Sequence, residues 1–205
     1  MSPNWVSCDF SVRIPYFEGK GKEASKQKAI KELREFASWA RTGKELIDFR
    51  KFIPYPKEFV DMDREQLIHA QKYKAAWTRY MNKLGRDPNA DESKKFWDDY
   101  HRKHPAVKDG FNSGGYEWCC ENWGTKWNAC HTELGYMQDD EVMYHFDTAW
   151  SPANPVILAM SKKFPILEFT LTYFECGCAF HGVFQCKEGK VTRDDTAEYF
   201  GDRGG

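Results

Sequence analysis

With 205 residues and a mass of 24.0 kDa, the chain is long enough for one well-filled core and a smaller attached lobe. Thirty Lys and Arg against 31 Asp and Glu give a formal net charge of -1, which argues against broad non-specific nucleic-acid binding, because that needs a basic excess. Aromatic residues make up 16% of a chain whose mean hydropathy is -0.75, so a compact aromatic core is expected inside a very polar shell. No apolar run approaches the roughly 18 to 20 residues that cross a bilayer, and residues 1–14 lack the basic and apolar regions of a secretory signal. The seven cysteines are an odd number and read as reduced thiols of a cytoplasmic protein.

Residues 4–14 alternate, with Val6, Cys8, Phe10 and Val12 on one side and Ser7, Asp9, Ser11 and Arg13 on the other. That period of two predicts a strand with one buried face. Residues 22–41 predict an amphipathic helix, since Ile30, Leu33, Phe36, Ala37 and Ala40 recur at helical spacing. Residues 49–53 read as a short strand closed by Pro54 and Pro56. Leu67, Ala70, Trp77, Met81 and Leu84 then fit a helix stopped by Gly85 and Pro88, and Phe96, Trp97 and Tyr100 fit a shorter one. Their apolar faces are thin and their charges mixed, which marks residues 58–113 as a helical insertion or lid. Gly110, Gly114 and Gly115 read as a flexible return.

The densest stretch is 116–127, where Tyr116, Trp118, Trp123 and Trp127 accompany Cys119, Cys120 and Lys126. Each indole brings a large apolar area and an N–H that needs a partner when buried. Residues 123–132 predict a strand, with Thr125, Trp127 and Ala129 on one face and Lys126, Asn128 and Cys130 on the other. Residues 141–150 predict its partner, with His145 and Asp147 opposite the core face. Ser151 and Pro152 read as a helix start, and Phe164-Pro165 as its end. Strands at 167–173 and 180–185 follow, joined by a turn at Cys176-Gly177-Cys178; Gly189 turns into one more short strand. Residues 194–205 read as a flexible acidic tail.

This order predicts an α+β fold, a ferredoxin-like antiparallel sheet with two helices on one face and a helical insertion. Residues 1–57 and 114–193 would form the sheet domain, and 58–113 the insertion.

Several runs carry a family resemblance: Pro3-Asn4-Trp5, Phe52-Ile53-Pro54-Tyr55-Pro56, Tyr116-Glu117-Trp118-Cys119, Asn122-Trp123-Gly124-Thr125-Lys126-Trp127, Thr148-Ala149-Trp150-Ser151-Pro152 and Phe164-Pro165. Together they resemble the YubB-type family of plasmid- and phage-encoded proteins with a ferredoxin-like domain. The resemblance spans most of the chain and is loosest over 58–113. It implies a mobile-element origin and a host-cell cytosolic setting, and it implies no reaction.

Four constellations stand out. The outward sheet face would gather Ser7, Asp9, Ser11, Lys126, Asn128, His145, Asp147, Glu168, Thr170, Thr172, His181 and Gln185. Alternation alone predicts a solvated face there; the functional reading is a polar binding surface. Open sheets of this class also serve as RNA platforms, but those stack bases on outward aromatics, and this face shows almost none. Next, Trp118, Trp123 and Trp127 are either core or the wall of a pocket in which Lys126 meets an anion, with Asn122, Thr125, Asn128, Glu168 and Thr170 adding polar contacts. An enclosed Lys126 would need Asp147 or Glu168 nearby. Cys176, Cys178, His181 and Cys186 are a weak zinc alternative. His145, Asp147 and His181 are an acid–base alternative without a placed nucleophile. No phosphate loop or dinucleotide fingerprint is present, so no cofactor is expected. The leading expectation is therefore a non-enzymatic accessory protein of a phage or mobile element that binds a host protein or an anionic, nucleotide-like small molecule to counter host defence. The runners-up are an enzyme acting on nucleotides or nucleic acid through those His and Asp residues of the sheet face, and a nucleic-acid binding module.

Overall fold

Alternation in the first strand decides which way the sheet faces. In the computed structural model, which describes residues 4–19 and 21–201, the elements run in chain order as β1 (Trp5–Arg13), α1 (Glu23–Trp39), α2 (Lys57–Leu84), α3 (Ala90–Lys103), α4 (Gly115–Asn122), β2 (Cys130–Met137), β3 (Glu141–Ala149), α5 (Asn154–Lys163), β4 (Glu168–Glu175), β5 (Phe180–Lys187) and β6 (Lys190–Glu198). The chain divides into two units, Met1–Pro54 with Glu117–Gly205, and Tyr55–Tyr116.

In the first unit, β1 lies in the middle of a six-stranded sheet of order β2-β3-β1-β4-β5-β6. Every neighbouring pair is antiparallel. The run β1-α1-β2-β3-α5-β4 with strand order β2-β3-β1-β4 is the ferredoxin-like arrangement; β5 and β6 extend it beyond β4.

Val6, Cys8, Phe10 and Val12 are buried on the helix side of the sheet, as the alternation predicts. Phe10 is fully buried and lies 6.0 to 6.3 Å, ring to ring, from Tyr144, Phe146, Phe169 and Phe36. From α1, Ala29, Ile30, Leu33 and Phe36 form one buried stripe. Phe36 also meets Phe164 edge-on at 5.4 Å, and α5 adds Val156, Ile157 and Met160. The helices and one sheet face thus bury a continuous aromatic layer.

Four sequence expectations fail for identifiable reasons. Residues 49–51 form a short 3-10 helix instead of a strand, with the Asp48 carboxylate accepting from the Arg50 N–H at 3.1 Å. No strand covers 123–129: α4 runs to Asn122, and Gly124 turns the chain at φ +83°, where a side chain would strike Pro155 and the Pro152 carbonyl. Ser151 does not cap a helix; its hydroxyl donates to the Gly124 carbonyl at 2.5 Å, and α5 begins later with Pro155 in its first turn. The expected tail is strand β6 as far as Glu198, paired to β5 through a turn at Glu188 and Gly189 with φ of +53° and +70°. All of β6 is exposed, so burial imposes no alternation on it. Residues 202–205 of that expected tail lie outside the described residues.

In the second unit, α3 opens with a capping box in which Asn89 and Glu92 exchange hydrogen bonds, and Gly85 ends α2 in the left-handed conformation. The helices meet through stacked rings, Tyr73 on Trp97 at 4.0 Å and Tyr80 on Phe96 at 4.6 Å. The glycine-rich return is held: Asp63 accepts from the N–H groups of Gly110 and Phe111 at 2.8 and 3.2 Å. Among the described residues, no helix is long and apolar enough to cross a membrane.

Replacing Phe10 by Ala should cost about 3–5 kcal/mol, as aromatic truncations in cores do; denaturant titration followed by fluorescence checks it. In α3, Arg86 and the Asn89 N–H hold the Glu92 carboxyl down at about 2. A folded value below the unfolded one means the stabilisation is present above the usual carboxylate range and lost as pH falls toward 2. Amide exchange in the first turn of α3 should therefore quicken across that window, and Glu92→Gln should remove the dependence.

Candidate functional site

The face of the sheet away from α1 and α5 carries rows of polar side chains set by strand register. Asp9 lies between His145 and Thr172, Ser7 between Asp147 and Phe174, and Ser11 beside Thr170. His181 follows Phe174 in β5, and Gln185 follows Thr170. All of these except Phe174 were expected on the outward face. Two imidazole–carboxylate pairs form on it: His145 Nδ1 lies 2.6 Å from Asp9 Oδ1, and His131 Nδ1 lies 2.8 Å from Asp147 Oδ2. Ser7 donates to the other oxygen of Asp147 at 3.3 Å. Gly135 in β2 passes so close to His145 that a side chain there would collide with the ring. Exposed pairs of this kind contribute about 0–1 kcal/mol each, so they are poorly explained as stabilisers.

One end of this face is walled by indoles. Trp5 and Trp127 lie 5.9 Å apart, and His131 meets Trp5 edge-on at 5.1 Å. The Lys126 ammonium sits 4.1 Å from the Trp127 ring and 5.6 Å from Trp150, distances at which the ring quadrupole attracts a cation. Trp150 is 48% exposed at φ +74°, and His131 has φ +51°. Left-handed backbone is strained for a bulky residue and tends to mark functional positions. The Trp150 N–H is held by the Asn4 carbonyl at 2.9 Å.

Several expected ligand-binding residues are used by the fold instead. Trp123 is buried, with its indole N–H on the Ile53 carbonyl at 2.9 Å and its ring edge-on to Phe49. Trp118 meets Trp123 edge-on at 5.5 Å. Asn122 donates back to the Trp118 carbonyl within α4. Thr125 is fully buried; its hydroxyl donates to the Ala149 carbonyl and accepts from the Ala149 N–H, standing in for a strand partner. Asn128 accepts from the Phe49 N–H at 2.8 Å and donates to Asp48 at 2.9 Å, so it does not lie on the open face as a free group. Glu168 pairs with Arg13 and Lys187, and Thr170 accepts from Gln185, at the other end of the sheet. Of the expected set, Lys126 and Trp127 remain at the indole end. Neither Asp147 nor Glu168 forms an ion pair with Lys126: Asp147 is with His131 and Glu168 with Arg13 and Lys187.

The acid–base alternative loses its geometry. Asp147 and His181 are separated by β1 and β4, about 14 Å at three strand spacings, and His145 and Asp147 have separate partners. Burial pushes the Cys8 thiol up to about 12 and Cys186 to about 11, and raises Cys130, so these thiols stay protonated at neutral pH. The zinc alternative fails on direction: Cys186 is buried against the Ile157 carbonyl on the helix side, while His181 faces the opposite way. Among the described residues, no group of three or more His, Cys, Asp and Glu side chains converges as metal ligands. The sequence reading missed Trp5, His131 and Trp150. It also missed the outward Phe174, 39% exposed and stacked on Tyr199 at 5.6 Å, so the face is richer in aromatics than expected.

Residues 122–202, which contain β2 to β6 and α5, match the family model described as a ferredoxin-like domain in Api92-like protein. Among solved structures, the protein api92 from Yersinia pseudotuberculosis is similar at 10% sequence identity, over 98% of this chain and 99% of that one, with a TM-score of 0.43. No curated protein matches the chain.

Asp48, which anchors Asn128, offers a test of this structural assignment. Burial alone would raise its carboxyl, but hydrogen bonds and charge from Arg50, with Thr42, outweigh that and hold it below the usual range. Its stabilisation is present above the ordinary aspartate value and lost as pH falls through the lowered one. Asp48→Asn should cost about 1–3 kcal/mol at neutral pH. Urea unfolding should show that difference shrinking as the solution is acidified.

Proposed function

We propose that this protein is a non-enzymatic binding module that takes an anionic, ring-bearing small molecule of the nucleotide class at the indole-rich end of its open sheet face. The observation that carries this reading is Lys126. Its ammonium is held against Trp127 and Trp150, and no ion pair occupies it among the described residues. An ammonium held on ring faces keeps N–H donors available to a phosphate or carboxylate, while the exposed Trp150 offers a surface for a flat ring. The buried, protonated thiols and the dispersed histidines support binding over catalysis.

A single strand of nucleic acid is the second reading, favoured by Trp5 and Phe174 on the open face. Against it, Asp9, Asp147 and Glu133 share that face with the histidines, and their charge opposes a long polyanion more than a small one. The wider setting we propose, an accessory protein of a plasmid or phage acting on a host component, rests on the sequence resemblance alone.

Calorimetry with nucleoside mono- and diphosphates tests the site. Lys126→Ala should weaken binding at least tenfold, about 1.4 kcal/mol, and Trp150→Ala comparably, whereas Lys187→Ala at the far end should leave affinity unchanged. Equal affinity for the wild type and a folded Lys126→Ala variant removes the site. Tighter, salt-sensitive binding of an oligonucleotide would favour the second reading.

A further inference from the structure

We infer that the groove between α2 and α3 docks an acidic amphipathic helix of a partner protein. The groove has a volume of about 890 Å³ and lies wholly within the helical unit. Lys72 and Arg79 of α2 and Lys95 and Lys103 of α3 line it, above a floor that includes Tyr80, Phe96 and Tyr100. Spacings of seven on α2 and eight on α3 put each pair of cations on one side of its helix.

The charge of this groove is not balanced from within. Its two carboxylates are already engaged, Glu92 by Arg86 at 2.7 Å and Asp99 by Arg102 at 2.6 Å. Lys72, Lys95 and Lys103 form no ion pair among the described residues, and the Nε of Arg79 donates to the Ala75 carbonyl of its own helix. The apolar side is incomplete as well. No residue of α2 or α3 is buried, although their rings pack against one another. A two-helix hairpin with a half-covered aromatic floor and cationic rims lacks an apolar layer flanked by negative charge. A third helix with a hydrophobic stripe and acidic edges supplies both. The 14 residues of α3 span about 21 Å, which matches a partner helix of about four turns.

A nucleic-acid strand fits less well. Such strands stack bases on accessible ring faces, and here the faces are spent within the hairpin: Tyr80 on Phe96 at 4.6 Å, Trp77 on Trp97 at 4.7 Å and Tyr73 on Trp97 at 4.0 Å. What remains is an apolar trough bordered by point charges.

The test uses the full chain and a fluorescein-labelled synthetic 18-residue helix with leucines on one stripe and glutamates beside it, alongside a twin with lysines in place of the glutamates. Fluorescence anisotropy should show the acidic peptide binding at least tenfold more tightly than its twin and weakening as salt is raised. The double charge reversal Lys72→Glu/Lys95→Glu should lower that affinity at least tenfold, while Lys74→Glu should leave it unchanged. Circular dichroism confirms that the variants keep their helices. The inference is overturned by failure of the acidic peptide to bind at millimolar concentration, by equal binding of the two peptides, or by insensitivity to the charge reversal. Displacement of the peptide by a 12-nucleotide single strand at lower concentration, or self-association of the chain through the same lysines in sedimentation, also overturns it.

Discussion

Asp9 and Phe10 are neighbours in the chain and point to opposite sides of the sheet, and the arrangement of the first unit follows from that. Because β1 is central, its register is fixed from both sides, by β3 and by β4. Phe10 commits one face to four aromatic partners, and a slip of one residue would put Asp9 among them. The cost of burying that carboxylate without a counter-charge exceeds what any single aromatic contact returns. The core therefore selects the register, and the register in turn places Ser7 opposite Asp147 and Asp9 opposite His145. The polar face is a consequence of the apolar one.

The parts of the fold legible in the sequence are those in which burial imposes a period. Strands β1, β3, β4 and β5 and helix α1 each have one buried face, and their periods of two or 3.6 can be read directly. Where burial does not set the pattern, reading fails. In β6 every residue is exposed, so charged residues occupy both faces and the strand is marked only by the turn at Gly189. The segment 123–129 fails in the opposite sense, because it alternates like a strand without being one. Thr125 and Ala129 are buried there because the Thr125 hydroxyl engages the Ala149 backbone and Asn128 engages Phe49 and Asp48. Side chains perform the pairing that a strand would have performed with its backbone, and residue type alone does not distinguish the two.

The candidate site was half visible for a related reason. Lys126 and Trp127 stood out because they belong to a dense aromatic run. Trp5, His131 and Trp150 are scattered along the chain, and the pairing of β3 with β1 and β2, the turn at Gly124 and the left-handed residues His131 and Trp150 bring them together. Positive φ at a tryptophan has no signature in the sequence, since nothing about the side chain calls for it. That strain is tolerated where the surroundings over-determine the backbone, and here the Asn4 carbonyl fixes the Trp150 N–H. A buried orientation for this indole would remove apolar area from water, so its exposure is a cost left standing in the free protein. A flat ligand lying against it would recover part of that cost.

The two units carry their apolar surface in different ways. The sheet unit encloses its aromatics, with Phe10, Phe36, Phe49 and Phe169 almost inaccessible to solvent. The helical unit keeps every residue of α2 and α3 at least partly exposed and relies on ring stacking, a capping box and charge pairs at its surface. Exposed ion pairs and a single cap contribute little each, on the order of 1 kcal/mol, whereas burial of one large side chain contributes about 1.5–3 kcal/mol. The helical unit is therefore the part of the chain expected to open most readily. A partner that bound only its folded form would raise its stability by an amount set by affinity and concentration. Incomplete burial in α2 and α3 and unmatched charge along their groove thus have one remedy, an added apolar surface with acidic edges.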